Sequence, residues 1–125
     1  MAENYYTGTV WEKQVAYCRA KKVGNLIFVA GTTAVNENGE IVGTTVYEQT
    51  VFVFKKIQKA LQHFGADLPQ VVRTRIYLLD ISQFSKVAQA HKEFFEGIDP
   101  VSTCIEVSKF VSPDLLVEIE VDAVQ

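Results

Sequence analysis

Three short stretches of this chain place chemically able side chains at every second position. They are Arg73, Arg75 and Tyr77; Ser102, Cys104 and Glu106; and Glu118, Glu120 and Asp122. A repeat of two is the repeat of a β-strand, so each set occupies one face of its own strand. Arginine forks match carboxylates in a two-point grip, and glutamates or histidines can pass protons. If the apolar sides of the strands meet helices, all three sets fall together on the opposite face. That face is either solvated, as one face of an antiparallel sheet commonly is, or meets other subunits, with arginines and carboxylates pairing across the contact.

His91 stands apart as a polar group on an apolar helical stripe of Phe84, Val87, Ala88, Phe94 and Phe95. It is either a satisfied core or interface imidazole, or an acid or anion holder active near neutral pH. Cys18 and Cys104 have neither the spacing of a zinc site nor the number of a disulfide framework, and two histidines add no metal site. No metal and no cofactor is expected.

The elements that must position these groups follow from periodicity. Gln14–Ala20 alternates and reads as a strand; Val23-Gly24-Asn25 turns the chain into a second strand, Leu26–Ala30. From Val46 the period lengthens. Val46, Thr50, Val53, Phe54, Ile57, Leu61 and Phe64 form one helical stripe that ends at Gly65. Val71–Leu79 alternates again. Asp80 to Gln83 looks like the cap of a second helix that stops at Gly97, and Ser102–Val107 and Leu116–Val124 are the last strands. The order is ββ-α-β-α-ββ, an α+β domain over residues 1–125 with a mixed sheet and both helices on one face.

Composition narrows the function classes. A chain of 125 residues, 48% hydrophobic and 22% charged, supports one globular core. The net charge of -3 gives no general pull toward phosphate backbones, and no basic, aromatic-lined groove is visible, so nucleic acid is an unlikely partner class. The first fourteen residues hold no apolar run of signal-peptide type, and no stretch is long enough to cross a bilayer. A reduced, cytoplasmic setting is the expectation.

Val23-Gly24-Asn25-Leu26-Ile27-Phe28-Val29-Ala30-Gly31, the "YLLD" ending at Asp80, and Pro100–Val107 followed by Leu116–Glu120 resemble successive motifs of the RidA/YjgF family, also known as the endoribonuclease L-PSP family. The last two look like its "PARSCVEV…IEIEA" signature, and the match runs from about residue 15 to residue 124. The resemblance implies a chorismate-mutase-like homotrimer with three small-molecule clefts between subunits. RidA-type members hydrolyse reactive imines and enamines without a cofactor. Others bind small carboxylates, and some have been described as translation inhibitors with ribonuclease activity.

Carried over residue by residue, the resemblance places Ser102 where active members hold the substrate carboxylate with an arginine. A serine hydroxyl cannot supply that charge. Glu118 takes the position of the glutamate that orients the attacking water, or else pairs with Arg73 or Arg75. Cys104 and Tyr17 match cleft-lining residues, and either one could instead be core. Gly31 matches the turn whose backbone N–H groups meet the substrate carboxylate. Phe84 resembles an aromatic wall given by the adjacent subunit, or is core. Arg75 is the substitute carboxylate anchor on this reading, with a salt bridge as its alternative; Arg19 could restore the charge or be merely solvated. Tyr17, Gly31, Ser102, Cys104 and Glu118 of one subunit are thus expected to face Phe84 and His91 of its neighbour.

Overall fold

The computed structural model describes residues 1–125. Six strands form one sheet in the order β1-β2-β3-β6-β4-β5. They are β1 (Ala2–Tyr5), β2 (Ala20–Val23), β3 (Leu26–Thr32), β4 (Val71–Leu78), β5 (Val101–Glu106) and β6 (Val117–Val124). Helices α2 (Val46–His63) and α3 (Phe84–Phe95) cover one face, and a six-residue helix α1 (Val10–Val15) lies near the N-terminus. All neighbouring strands are antiparallel except β4 and β5. Parallel strands need a long crossover, and α3 provides it.

The expected α+β architecture is present, with both long helices where their stripes place them. Val46, Thr50, Val53, Phe54, Ile57, Leu61 and Phe64 are all buried. A capping box starts α2: the Thr45 hydroxyl accepts from the Glu48 N–H at 3.1 Å, and Glu48 accepts from the Thr45 N–H at 3.2 Å. Gly65, at φ 78°, continues the exit from it. Phe54, Phe94 and Phe95 knit α2 to α3, with ring centroids 5.2 to 5.3 Å from Phe54. Below them lie Ile27, Val29, Ile76, Leu78, Val117, Ile119 and Val121, the apolar sides of the central strands.

The N-terminal fifth differs from expectation. Gln14 and Val15 end a helix rather than begin a strand, and Ala16 turns the chain in the left-handed region, at φ 65°. The Glu12 carboxylate causes this. It accepts from the N–H groups of Thr7 and Gly8 at 3.0 to 3.2 Å and from the Thr7 hydroxyl at 2.7 Å, closing the turn before α1. The sheet then resumes only at Ala20, and β1 adds an edge strand. No helix is long and apolar enough to cross a membrane.

Candidate functional site

The polar residues of the central strands divide into two groups, and strand register decides the division. Residues directly opposite each other in neighbouring strands point to the same side of the sheet. Arg73 faces Asp122, Arg75 faces Glu120 and Tyr77 faces Glu118, all on the face that carries no helix. Ser102, however, lies beside Thr74, and Cys104 beside Ile76. Thr74 and Ile76 are buried beneath the helices. Ser102, Cys104 and Glu106 therefore point to the helix side, and the expectation that they share a face with Glu118 is wrong. β5 is the sheet's edge, exposed at every position but Cys104, so its own alternation does not reveal which side is inward.

The first group centres on Gly31 and Glu118. The β3–β6 register slips between Val29 and Thr32, which brings Gly31 against Glu118. A Cβ at Gly31 would collide with Glu118 Oε2, so the glycine leaves the carboxylate its present place and a larger residue would make it swing aside. Glu118 takes no part in the ion pairs of its face. Arg73 and Arg75 lie 3.6 and 3.3 Å from Asp122, Arg75 is 3.8 Å from Glu120, and Tyr77 donates to Glu120 at 2.7 Å. Arg75 is thus committed to carboxylates of its own sheet. Burial lifts the Glu118 pKa above its usual value, Arg19 opposes the rise, and Glu120 adds to it.

Arg19 holds this group together. It is 6% exposed, not a solvated surface arginine. Its Nη1 donates to the Gly31 carbonyl at 2.5 Å and to the Thr32 hydroxyl at 3.2 Å, and its Nη2 donates to the Tyr17 hydroxyl at 3.2 Å. Glu12 lies 4.0 Å from Nε as counter-ion, yet Nε itself has no hydrogen-bond partner. Tyr17 and Gly31 are therefore joined through one buried guanidinium, and Tyr17 borders a separate hollow toward α1.

The second group lies between β5 and α3. A cavity of about 540 Å³ is lined by Ile76, Phe84, Val87, His91, Ser102 and Cys104 among others. Phe84 is half exposed at the start of α3, so it is a wall of this hollow rather than core. Thr74 joins the polar members: its Oγ1 donates to Ser102 Oγ at 2.7 Å and stands 2.9 Å from His91 Nε2. Both hydroxyls can donate or accept, so the direction of the Thr74–His91 bond follows the tautomer of the ring. Burial lowers the His91 pKa, leaving the ring neutral at pH 7, and raises that of Cys104, which stays a thiol. His91 also packs edge-on to Phe54 at 5.8 Å and against Phe95 at 4.8 Å, inside its own subunit.

Within one chain the structure brings Ser102, Cys104, Phe84 and His91 together, and separately brings Tyr17, Gly31 and Glu118 together. It does not join the two groups, and it leaves Arg75 in neither. Sequence reading missed two organising residues, Thr74 and Glu12, and weighed Arg19 only as a replacement charge or a solvated residue. Thr74 had a signal, as a polar residue on the apolar side of a central strand.

The endoribonuclease L-PSP family model matches residues 10–125. The chain belongs to the RidA/YjgF family. A YjgF/YER057c/UK114-family protein of Mycobacterium tuberculosis superposes with a TM-score of 0.93 over all of both chains, at 39% identity. A RutC family protein of Pyrococcus abyssi is 40% identical over 105 residues, 83% of this chain and 82% of that one. The 3-aminoacrylate deaminase RutC of Acinetobacter baylyi is 31% identical over 104 residues, 82% of each. Family membership accounts for the fold.

Proposed function

We propose that this RidA/YjgF member is a cofactor-independent hydrolase of small imines or enamines, working in the cytoplasm at clefts between the subunits of a homotrimer. The observation that carries the reading is the pairing of Gly31 with Glu118: a half-buried carboxylate left out of every ion pair and pressed against a glycine. Each cleft combines the Tyr17–Gly31–Glu118 group of one copy with the Phe84–His91–Ser102–Cys104 group of the next. The opposite placement of the two groups on the sheet supports this, because neither forms a closed pocket alone. The reading keeps Tyr17, Gly31, Glu118, Phe84 and His91, gives up Arg75 as an anchor because Glu120 and Asp122 hold it, and moves Ser102 and Cys104 to the subunit that also gives His91.

The reaction follows from the groups present. Glu118 accepts a proton from water as its oxygen attacks the imine carbon, while nitrogen gains a proton. The carbinolamine then loses ammonia and leaves a carbonyl compound. Backbone N–H groups at the Gly31 turn hold the substrate carboxylate, and Arg19 behind them supplies positive potential in place of the arginine absent at Ser102. Neutral His91, linked through Thr74 to Ser102, gives the cleft wall a polar group without charge. Cys104, a protonated thiol, lines the cleft.

A second reading is a trimeric binder of small carboxylates without turnover. Ser102 favours it, since its hydroxyl carries no charge and is already held by Thr74. Hydrolysis of 2-iminopropionate by the intact chain and by Glu118→Gln separates the two. Loss of a general base slows hydrolysis by about 10²- to 10⁴-fold. Binding of a 2-oxo acid with no hydrolysis in either protein selects the binder. A stable 14.0 kDa monomer in sedimentation would remove both readings.

A further inference from the structure

Away from both groups, a cavity of about 400 Å³ opens between the N-terminal segment, the loop at 35–38 and α2. It shares no lining residue with the Ser102–His91 hollow or with the surface around Gly31 and Glu118. Its walls combine three kinds of group. Tyr5 and Phe52 give aromatic surface, Thr7 and Thr9 give hydroxyls, and Lys55, Lys56 and Lys59 give three amines from successive turns of α2. A concave, mostly apolar site with a few converging polar groups is the usual form of a small-molecule pocket.

Two features mark it as more than a gap between elements. Thr9 Oγ1 is buried with no hydrogen-bond partner, a rare condition for a hydroxyl. Lys56 is half-buried and donates to the Val35 carbonyl at 2.8 Å, rather than extending to solvent like its neighbours. Lys59 sits on the rim, where it meets Glu37 at 3.2 Å with both side chains mostly exposed.

We propose that this cavity binds small aldehydes or ketones bearing an anionic group, and that the Lys56 amine condenses with their carbonyl. Lys55 and Lys59 hold the anion, and Tyr5 and Phe52 pack the organic body. The Lys56 lone pair forms a C–N bond to the carbonyl carbon. The carbonyl oxygen gathers two protons and leaves as water, and the product is an imine that water can reverse.

The electrostatics suit this chemistry. Burial, aided by the nearby Arg19 charge and opposed by Glu12, brings the Lys56 pKa down to about 8. Glu37 is the other acid facing the amines, and it is committed to Lys59. At pH 8 roughly half of Lys56 is therefore the neutral nucleophile, against under about 1% of an ordinary lysine with a pKa near 10.4.

The test uses para-carboxybenzaldehyde, an aromatic aldehyde with a carboxylate, at a concentration equal to that of the protein at pH 8. Borohydride then reduces any imine to a stable amine for peptide mapping. We expect the label on Lys56 at about ten times the level on Lys55 or Lys59. Benzoate should slow it, and neutral benzaldehyde should label less selectively. Label spread across the exposed lysines, or an unchanged pattern in Lys56→Arg, overturns the proposal. The pH profile of the unmodified chain is the second measurement. Labelling of Lys56 should reach half its maximum near pH 8, while that of free Nα-acetyl-lysine climbs to higher pH. Parallel curves for the two would also overturn it.

Discussion

The two halves of the proposed cleft solve one problem, holding a reactive polar molecule, with opposite electrostatics. Around Gly31 the sheet keeps charge: Glu118 is ionisable and unpaired, and Arg19 lies behind it, buried and countered by Glu12. Around Ser102 the hydrogen-bonded centre is uncharged, and charge enters only with Lys92, Glu96 and Asp99 in the same lining. There the hydroxyls of Thr74 and Ser102, a thiol and a neutral imidazole form a hydrogen-bonded, uncharged wall. The buried cation of the proposed cleft stands on the Gly31 side, where it binds a backbone carbonyl.

Removing Arg19 is the hardest test of this contrast. In Arg19→Met the Gly31 carbonyl, the Tyr17 hydroxyl and Glu12 all lose their cation. Deleting one member of a buried ion pair typically costs about 3–5 kcal/mol. Glu12 keeps its N–H partners from Thr7 and Gly8, so the lower end, about 3 kcal/mol, is expected in denaturant unfolding. Glu118 would also lose the one neighbour that lowers its pKa, so the acid-side limb of hydrolysis, where activity rises with pH, should move to higher pH. A loss below about 0.5 kcal/mol would mean that Arg19 is only a spectator on this face.

Much of this was legible in the sequence, and its limits have physical causes. Helices α2 and α3 and strands β4 and β6 are long, and each buries one side, so periodicity identifies them. Residues 2–20 are not legible in the same way. A four-residue exposed strand and a six-residue helix hold too few turns to show a period, and Ala16 at φ 65° gives no compositional sign. The site reading failed at β5 and at Arg75, which Glu120 and Asp122 hold. β5 is an edge strand with Val101, Ile105 and Ser102 all exposed, so only its parallel register with β4 shows that Ser102 faces α3. The resemblance put Gly31 and Glu118 on one cleft without their contact, and Arg19, which is buried beside them, was weighed as a replacement charge or a solvated residue.

A charge placed on the neutral side tests the contrast from the other direction. Ser102→Arg restores a guanidinium at the rim of the α3 hollow. Hydrogen bonds to a charged group contribute about 1.5–3 kcal/mol, equal to roughly 10- to 100-fold in rate if formed in the transition state. Imine hydrolysis should therefore rise by up to that factor. Arg19→Met combined with Ser102→Arg should recover activity but not stability. No gain in Ser102→Arg would show that Arg19 already supplies all the positive potential the substrate uses.

The smallest expected effect lies in pH dependence, where the two halves should pull in opposite directions. Burial depresses the His91 pKa below its ordinary 6.5, so the folded chain binds that proton less readily than the unfolded chain. The neutral ring imposes no penalty above about pH 6.5, and stability falls as the solution is acidified through and below that value. Glu118 has the reverse sign. Its pKa is raised above 4.5, so its cost to the fold appears as pH rises through and above that value. Gln in place of His91 keeps a donor to Thr74 but removes the titration, leaving Glu118 untouched. The difference in Tm between the intact chain and His91→Gln should therefore change in favour of His91→Gln between about pH 7 and pH 5. Subtracting the two proteins cancels the Glu118 contribution. A constant difference across that range would mean that the His91 ring takes up its proton in the fold as freely as in water. The neutral half of the cleft would then be neutral only in its hydroxyls and thiol.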